Sequence, residues 1–175
     1  MTGGDRPTGT LTLFFSDMEG STRLARALGD RWPDLLARHR EVLREVVESE
    51  GGTVVDCQGD SMFAVFVSAS AGVRAASEAQ RRMAAERWPE GVAVRVRIGV
   101  HTGEPVAAAD DFFGRAVNYA ARVAAAAGPG EILVSSLVHD IVSPGASLTF
   151  ARPREVEMKG VSGTPLVYPV EWNRP

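Results

Sequence analysis

Short apolar runs alternate with long amphipathic stretches along this chain. Residues 10–16 (TLTLFFS) are apolar and rich in β-formers, and predict a buried first strand. Residues 19–28 and 32–50 carry apolar side chains at helical spacing. In the second stretch Leu35, Leu36, His39, Val42, Leu43, Val46 and Val47 outline one buried face, and Gly51-Gly52 ends it as a C-cap pair. Residues 53–57 and 62–67 read as a hairpin across Gln58-Gly59-Asp60-Ser61, because Gly-Asp between β-rich runs is a turn signal. An Ala-rich helix is expected over 68–86, with Ser68 or Ser70 as its N-cap. Residues 92–100 (VAVRVRIGV) alternate as a half-exposed strand does, with Arg95 and Arg97 on one face. A second Ala-rich helix over 114–127 stops at Gly128-Pro129-Gly130, and strands are expected over 131–135 and 164–170.

This order predicts an α+β fold. It reads as a ferredoxin-like βαββαβ core with extra α/β elements, its helices packed on one face of a mainly antiparallel sheet. The length of 175 residues suits a single domain. Residues 1–8 read as a disordered tail, 9–172 as the domain, and 173–175 as a tail or the start of a linker to further domains of a longer chain.

Composition narrows the function. Nineteen Lys and Arg stand against 22 Asp and Glu, a net charge of −3, which argues against a strongly basic nucleic-acid binder. One cysteine rules out an internal disulfide framework or a Cys-rich zinc site, and three histidines make a multi-His metal site hard to build. No apolar run approaches the roughly 20 residues of a membrane helix, and residues 1–7 lack a signal-peptide core. The expectation is a cytoplasmic domain with neither nucleic acid nor membrane as partner.

The candidate chemistry lies in two carboxylates. Asp17 follows the first strand and Asp60 sits in the hairpin, so both emerge at one end of the sheet if these elements are neighbours. With the backbone carbonyl of Met18 they offer a partial shell of hard oxygens for Mg2+ or Mn2+, ions that expect phosphate to complete it. The helix expected after Asp17 also offers free N–H groups to a phosphate. Equally, Asp17 can cap that helix while Asp60 is an ordinary turn residue.

The wider pattern is more specific. Residues 15–22 (FSDMEGST), then Gln58-Gly59-Asp60 with Phe63-Ala64-Val65-Phe66, resemble the metal-binding half of the class III nucleotidyl cyclases, the adenylyl and guanylyl cyclases. Residues 97–104 (RIGVHTGE) resemble that family's central strand, residues 114–122 (GRAVNYAAR) its G-x-x-V-N-x-A-x-R helix, and Met158-Lys159-Gly160-Val161 its Leu-Lys-Gly strand. The resemblance runs in register from about residue 9 to 172.

It implies a head-to-tail homodimer with each active site in the cleft between chains. One chain would supply the metal ligands Asp17, Asp60 and the Met18 carbonyl for two Mg2+ or Mn2+ per site. The other would supply Asn118 to orient the ribose, Arg122 to stabilise charge on the transferring phosphate, and Lys159 to contact the terminal phosphates. The implied reaction converts a purine nucleoside triphosphate to its 3′,5′-cyclic monophosphate and pyrophosphate, a step in signal transduction. Asp111 matches the aspartate that accepts from the adenine amino group, which favours ATP over GTP. Asp56 departs from the pattern, standing where adenylyl cyclases carry a base-reading lysine. A carboxylate only accepts, so it cannot donate to adenine N1. The alternative reading is therefore a weakly active or inactive cyclase-like domain, binding nucleotide or dimerising as the sensor of a larger regulatory protein.

Overall fold

The computed structural model describes residues 7–145 and 147–173, so most of the expected tail and linker lies outside the described residues. Strand β1 (Leu11–Met18) leads through α1 (Ser21–Leu28) to the long helix α2 (Trp32–Ser49). The hairpin of β2 (Thr53–Gln58) and β3 (Ser61–Phe66) follows, then α3 (Ala69–Ala85) and β4 (Val96–Gly103). A small hairpin of β5 (Val106–Ala108) and β6 (Asp111–Phe113) precedes α4 (Arg115–Ala126). The chain closes with β7 (Ile132–Ser135), α5 (Ser136–Val142), β8 (Arg154–Glu155) and β9 (Leu166–Pro169). Seven strands form one sheet in the order β2-β3-β1-β4-β7-β9-β8, antiparallel except where β4 runs parallel to β7. The expected α+β class holds.

Alternation along β1 and β4 divides the sheet into two faces. Phe14 and Met18 of β1 and Val96, Ile98 and Val100 of β4 turn toward the apolar sides of α2, α3 and α5. Leu11 and Leu13 turn the other way, with Phe63, Val65, Phe112 and Ala120 of α4. The helices therefore lie on both faces, which corrects the one-sided packing expected. Glycine spacing in β4 is the reason. A Cβ on Gly99 would stand 2.1 Å from the Ala124 nitrogen, and one on Gly103 would stand 2.7 Å from the Ala116 Cβ. Only bare backbone at these two positions lets α4 lie directly on the strand.

Other boundaries moved for physical reasons. β1 continues to Met18 because it pairs with β4 as far as Met18–Val96, so Asp17 lies within the strand. The same register starts β4 at Val96; residues 92–95 have no partner strand, and Arg95 is exposed irregular chain, not on a strand face with Arg97. α1 begins at Ser21 behind Gly20 at φ 66°, with no side-chain cap, so Asp17 does not cap it. Ser68, not Ser70, caps α3 by accepting from the Ala71 N–H.

Candidate active site

At the end of β1 the two aspartates meet. The Met18 N–H donates to Asp60 Oδ2 at 2.7 Å, which holds the β2–β3 turn against the residue after Asp17. Helix α2 clamps the same turn, Arg40 Nε donating to the Gly59 carbonyl at 2.8 Å. Behind it His39 is fully buried with neither ring nitrogen hydrogen-bonded among the described residues. Burial lowers its pKa to about 4, with the Asp60 charge opposing weakly, so the ring is neutral at ordinary pH.

Asp17 carries a partner that the sequence did not reveal. It stands opposite Arg97 in the β1–β4 register, and Arg97 grips it with both arms, Nε to Oδ1 at 2.7 Å and Nη2 to Oδ2 at 3.1 Å. A cation seeking Asp17 has to displace this guanidinium or share the carboxylate with it. The donor set itself suits Mg2+ or Mn2+, being two carboxylates and a carbonyl with no soft ligand. Among the described residues no cluster of three or more Asp, Glu, His or Cys offers a protein-only cage. Such a shell leaves positions for phosphate oxygens.

A second constellation lies on the outer side of α4, the helix packed on the same sheet face that bears the Asp17–Arg97 pair. Ala120, Val123 and Ala124 bury the inner side of α4, and Asn118 and Arg122, one turn apart, project from the outer side. They line a pocket of about 510 Å³ together with Arg115, Tyr119 and residues 159–162. Lys159 reaches it because Met158 is buried against Val123 and Leu133, and a turn closed by the Val161 N–H to the Met158 carbonyl follows at once. Glu131 braces this region through a two-armed bond from Arg154, at 2.6 and 2.7 Å. Tyr119, missed in the sequence reading, rests on His101 with ring centres 4.5 Å apart, and His101 shares a 2.8 Å hydrogen bond with Ser135. Arg115, Arg122 and Lys159 line the pocket without any carboxylate, and none has an ion pair among the described residues.

The expected base-reading acids flank one aromatic cluster. A bulge between Val54 and Asp56 sets Asp56 opposite Phe63. Phe63 stacks on Phe15 at 4.4 Å and meets Phe112 edge-on at 6.5 Å, and Phe112 is the neighbour of Asp111. Both acids are exposed; Asp111 Oδ1 accepts the Phe112 N–H at 2.7 Å. Asp17 and Asp60 line no part of the α4 pocket. One chain thus presents an acidic and a cationic region that share no pocket.

The family model for the adenylate and guanylate cyclase catalytic domain matches residues 5–171. The chain belongs to this cyclase family. A putative adenylate cyclase of Rhizobium meliloti (strain 1021) is 35% identical over 129 residues, covering 73% of this chain and 22% of that protein. An adenylate/guanylate cyclase/hydrolase structure from Silicibacter pomeroyi superposes with a TM-score of 0.82 at 30% identity, covering 94% of this chain and 97% of that one. The adenylyl cyclase CyaB of P. aeruginosa gives 0.80 at 25% identity, covering 94% and 96%. The cyclase domain spans less than a quarter of the length of relatives such as the Rhizobium protein and the receptor-type adenylate cyclase of Trypanosoma brucei brucei. Among its described residues no helix is long and apolar enough to cross a membrane.

Proposed function

We propose that the domain cyclises a purine nucleoside triphosphate, ATP in preference to GTP, as a head-to-tail homodimer. Each cleft would join the Asp17 end of one chain to the α4 pocket of the other. One observation carries this reading: the cations of the α4 pocket have no acid paired with them among the described residues, whereas the aspartates stand apart from them. A triphosphate carrying divalent cations matches both at once.

In the reaction the ribose 3′-oxygen attacks the α-phosphorus in line. The bond from that phosphorus to its β-bridging oxygen breaks, pyrophosphate departs, and the 3′-hydroxyl proton passes to solvent. Asp17, Asp60 and the Met18 carbonyl would hold two Mg2+ or Mn2+, whose chemistry when bound is Lewis-acid activation of the hydroxyl and neutralisation of the triphosphate. Asn118 orients the ribose, Arg122 meets the charge growing on the transferring phosphate, and Lys159 binds the terminal phosphates. Asp111 accepts from the adenine amino group, with Asp56 beside the base.

A second reading, a weakly active or inactive nucleotide-binding sensor domain, draws support from Asp56 and from the guanidinium that already occupies Asp17. The test is complementation with Mn2+ and ATP. Asp17→Ala and Asn118→Ala chains are each expected to be inactive alone and to regain activity on mixing, because one cleft of the mixed pair is complete. Wild-type protein that turns over neither ATP nor GTP supports the sensor instead. Active wild type whose exchanged mutant subunits stay silent would sink the shared cleft.

A further inference from the structure

A cavity of about 840 Å³ opens at the sheet end where α3 finishes, bounded by residues 87–95, the Pro129-Gly130 turn and Trp172. It shares no lining residue with the α4 pocket. Its volume falls within the roughly 300–1,000 Å³ usual for small-molecule sites. Met83, Trp88, Val92 and Trp172 give it an apolar wall. Both indole N–H groups are bonded to backbone, Trp88 to the Met83 carbonyl at 3.0 Å and Trp172 to the Gly130 carbonyl at 2.9 Å. The two rings are thereby fixed and half-exposed, with their polar edges already satisfied.

The charged lining is unevenly matched. Glu86 is held by Arg38 at 2.8 Å. The exposed side chains of Arg87 and Arg95 have neither ion pair nor hydrogen bond among the described residues, and Glu90 is the one carboxylate left in the lining. Two guanidiniums against one carboxylate leave a single positive charge beside an aromatic wall. We infer that this cavity binds a small aromatic monocarboxylate, its ring against Trp88 and Trp172 and its carboxylate between Arg87 and Arg95. The site touches the aspartate end of the sheet, because the Arg95 carbonyl accepts the Glu19 N–H at 2.8 Å, two residues beyond Asp17.

The probe is 2-naphthoate, titrated into the full chain and followed by tryptophan fluorescence and calorimetry, with neutral 2-naphthamide in parallel. Naphthoate is expected to bind one per chain, at least about tenfold more tightly than the amide. The Arg87→Gln/Arg95→Gln double variant, altered only at exposed side chains, is expected to lose that advantage while binding the amide as before. Trp88→Leu weakens both ligands. Equal affinity for naphthoate and naphthamide overturns the proposal, as does unchanged naphthoate affinity in the double variant. Competition by ATP and Mn2+ overturns it too, since it would put the ligand in the nucleotide cleft. None of these readings depends on turnover.

Discussion

The aspartate end of β1 and the outer face of α4, a helix packed on the same sheet, handle charge in opposite ways. At the first, both aspartates are answered within the chain: Arg97 holds Asp17 by two bonds and the Met18 N–H holds Asp60. At the second, three cations gather with no carboxylate opposite them among the described residues. A satisfied carboxylate pair is a stable resting state; an unanswered cationic pocket is a half-made contact. In the proposed pair the first half would keep a geometry set by the fold, and the second would be balanced by nucleotide and the partner chain.

The strongest way to break this comparison is at Asp60. Asp60→Ala removes a proposed metal ligand together with the bond that fixes Met18. Turnover is expected to fall by about a thousandfold, roughly 4 kcal/mol in the transition state, and Mn2+-dependent nucleotide binding to vanish while unfolding stays cooperative. Calorimetric titration with nucleotide and Mn2+ decides it; binding equal to wild type removes Asp60 from the metal site.

Acid is expected to strike next, and at both halves, because each is backed by a histidine that burial keeps neutral, His39 fully buried and His101 half-buried. Burial lowers both His39 and His101 to about 4, so the folded state prefers the neutral rings. Stability from this source is complete above the unfolded value near 6.5 and is lost as pH falls through about 4. For His39 the loss approaches about 3 kcal/mol, and for the less buried His101 it is smaller. Thermal unfolding from pH 7.5 to 4 should show the decline, and His39→Met should flatten it. An unchanged slope in that variant would show that His39 is not the source.

The α4 half can be loosened by itself. Gly99→Ala places a methyl against the Ala124 backbone, and overpacking of this kind costs about 1–3 kcal/mol. Nucleotide affinity is expected to drop with the displacement of Asn118 and Arg122, while nucleotide-free Mn2+ binding at Asp17 and Asp60 persists. Metal binding lost in step with nucleotide binding would contradict the separation of the halves.

The smallest effect concerns the base. Asp56→Lys restores a donor toward adenine N1 and sets a cation near Asp111, so ATP is expected to gain about tenfold over GTP, near 1.4 kcal/mol. Competition binding of the two nucleotides measures it. An unmoved ratio would mean that Asp56 does not face the purine.

Much of this was readable before folding. The first strand, the hairpin and the α2 face follow from local periodicity, and the positions of Asp17 and Asp60 follow from them. Asn118 and Arg122 share a pocket as their four-residue spacing requires. The partnership of Asp17 with Arg97 was not legible, because 80 residues separate them and only strand register joins them. The β5–β6 hairpin escaped because its strands are three residues long and largely exposed. Helix α5 escaped because Ser135 is both the last residue of β7 and the cap of the helix, leaving no turn to announce it.

Strand β4 carries a consequence of its own. Its α4-facing side bears, in sequence, Arg97 that grips Asp17, Gly99 that seats α4, His101 beneath Tyr119, and Gly103 against Ala116. A single strand therefore carries the attachments of both regions, and would be the rod between them. In the proposed pair each rod would span from one cleft to the other, like a beam resting on two pans of a balance. A ligand that draws Asp17 away from Arg97 would therefore pull on the same strand that seats α4.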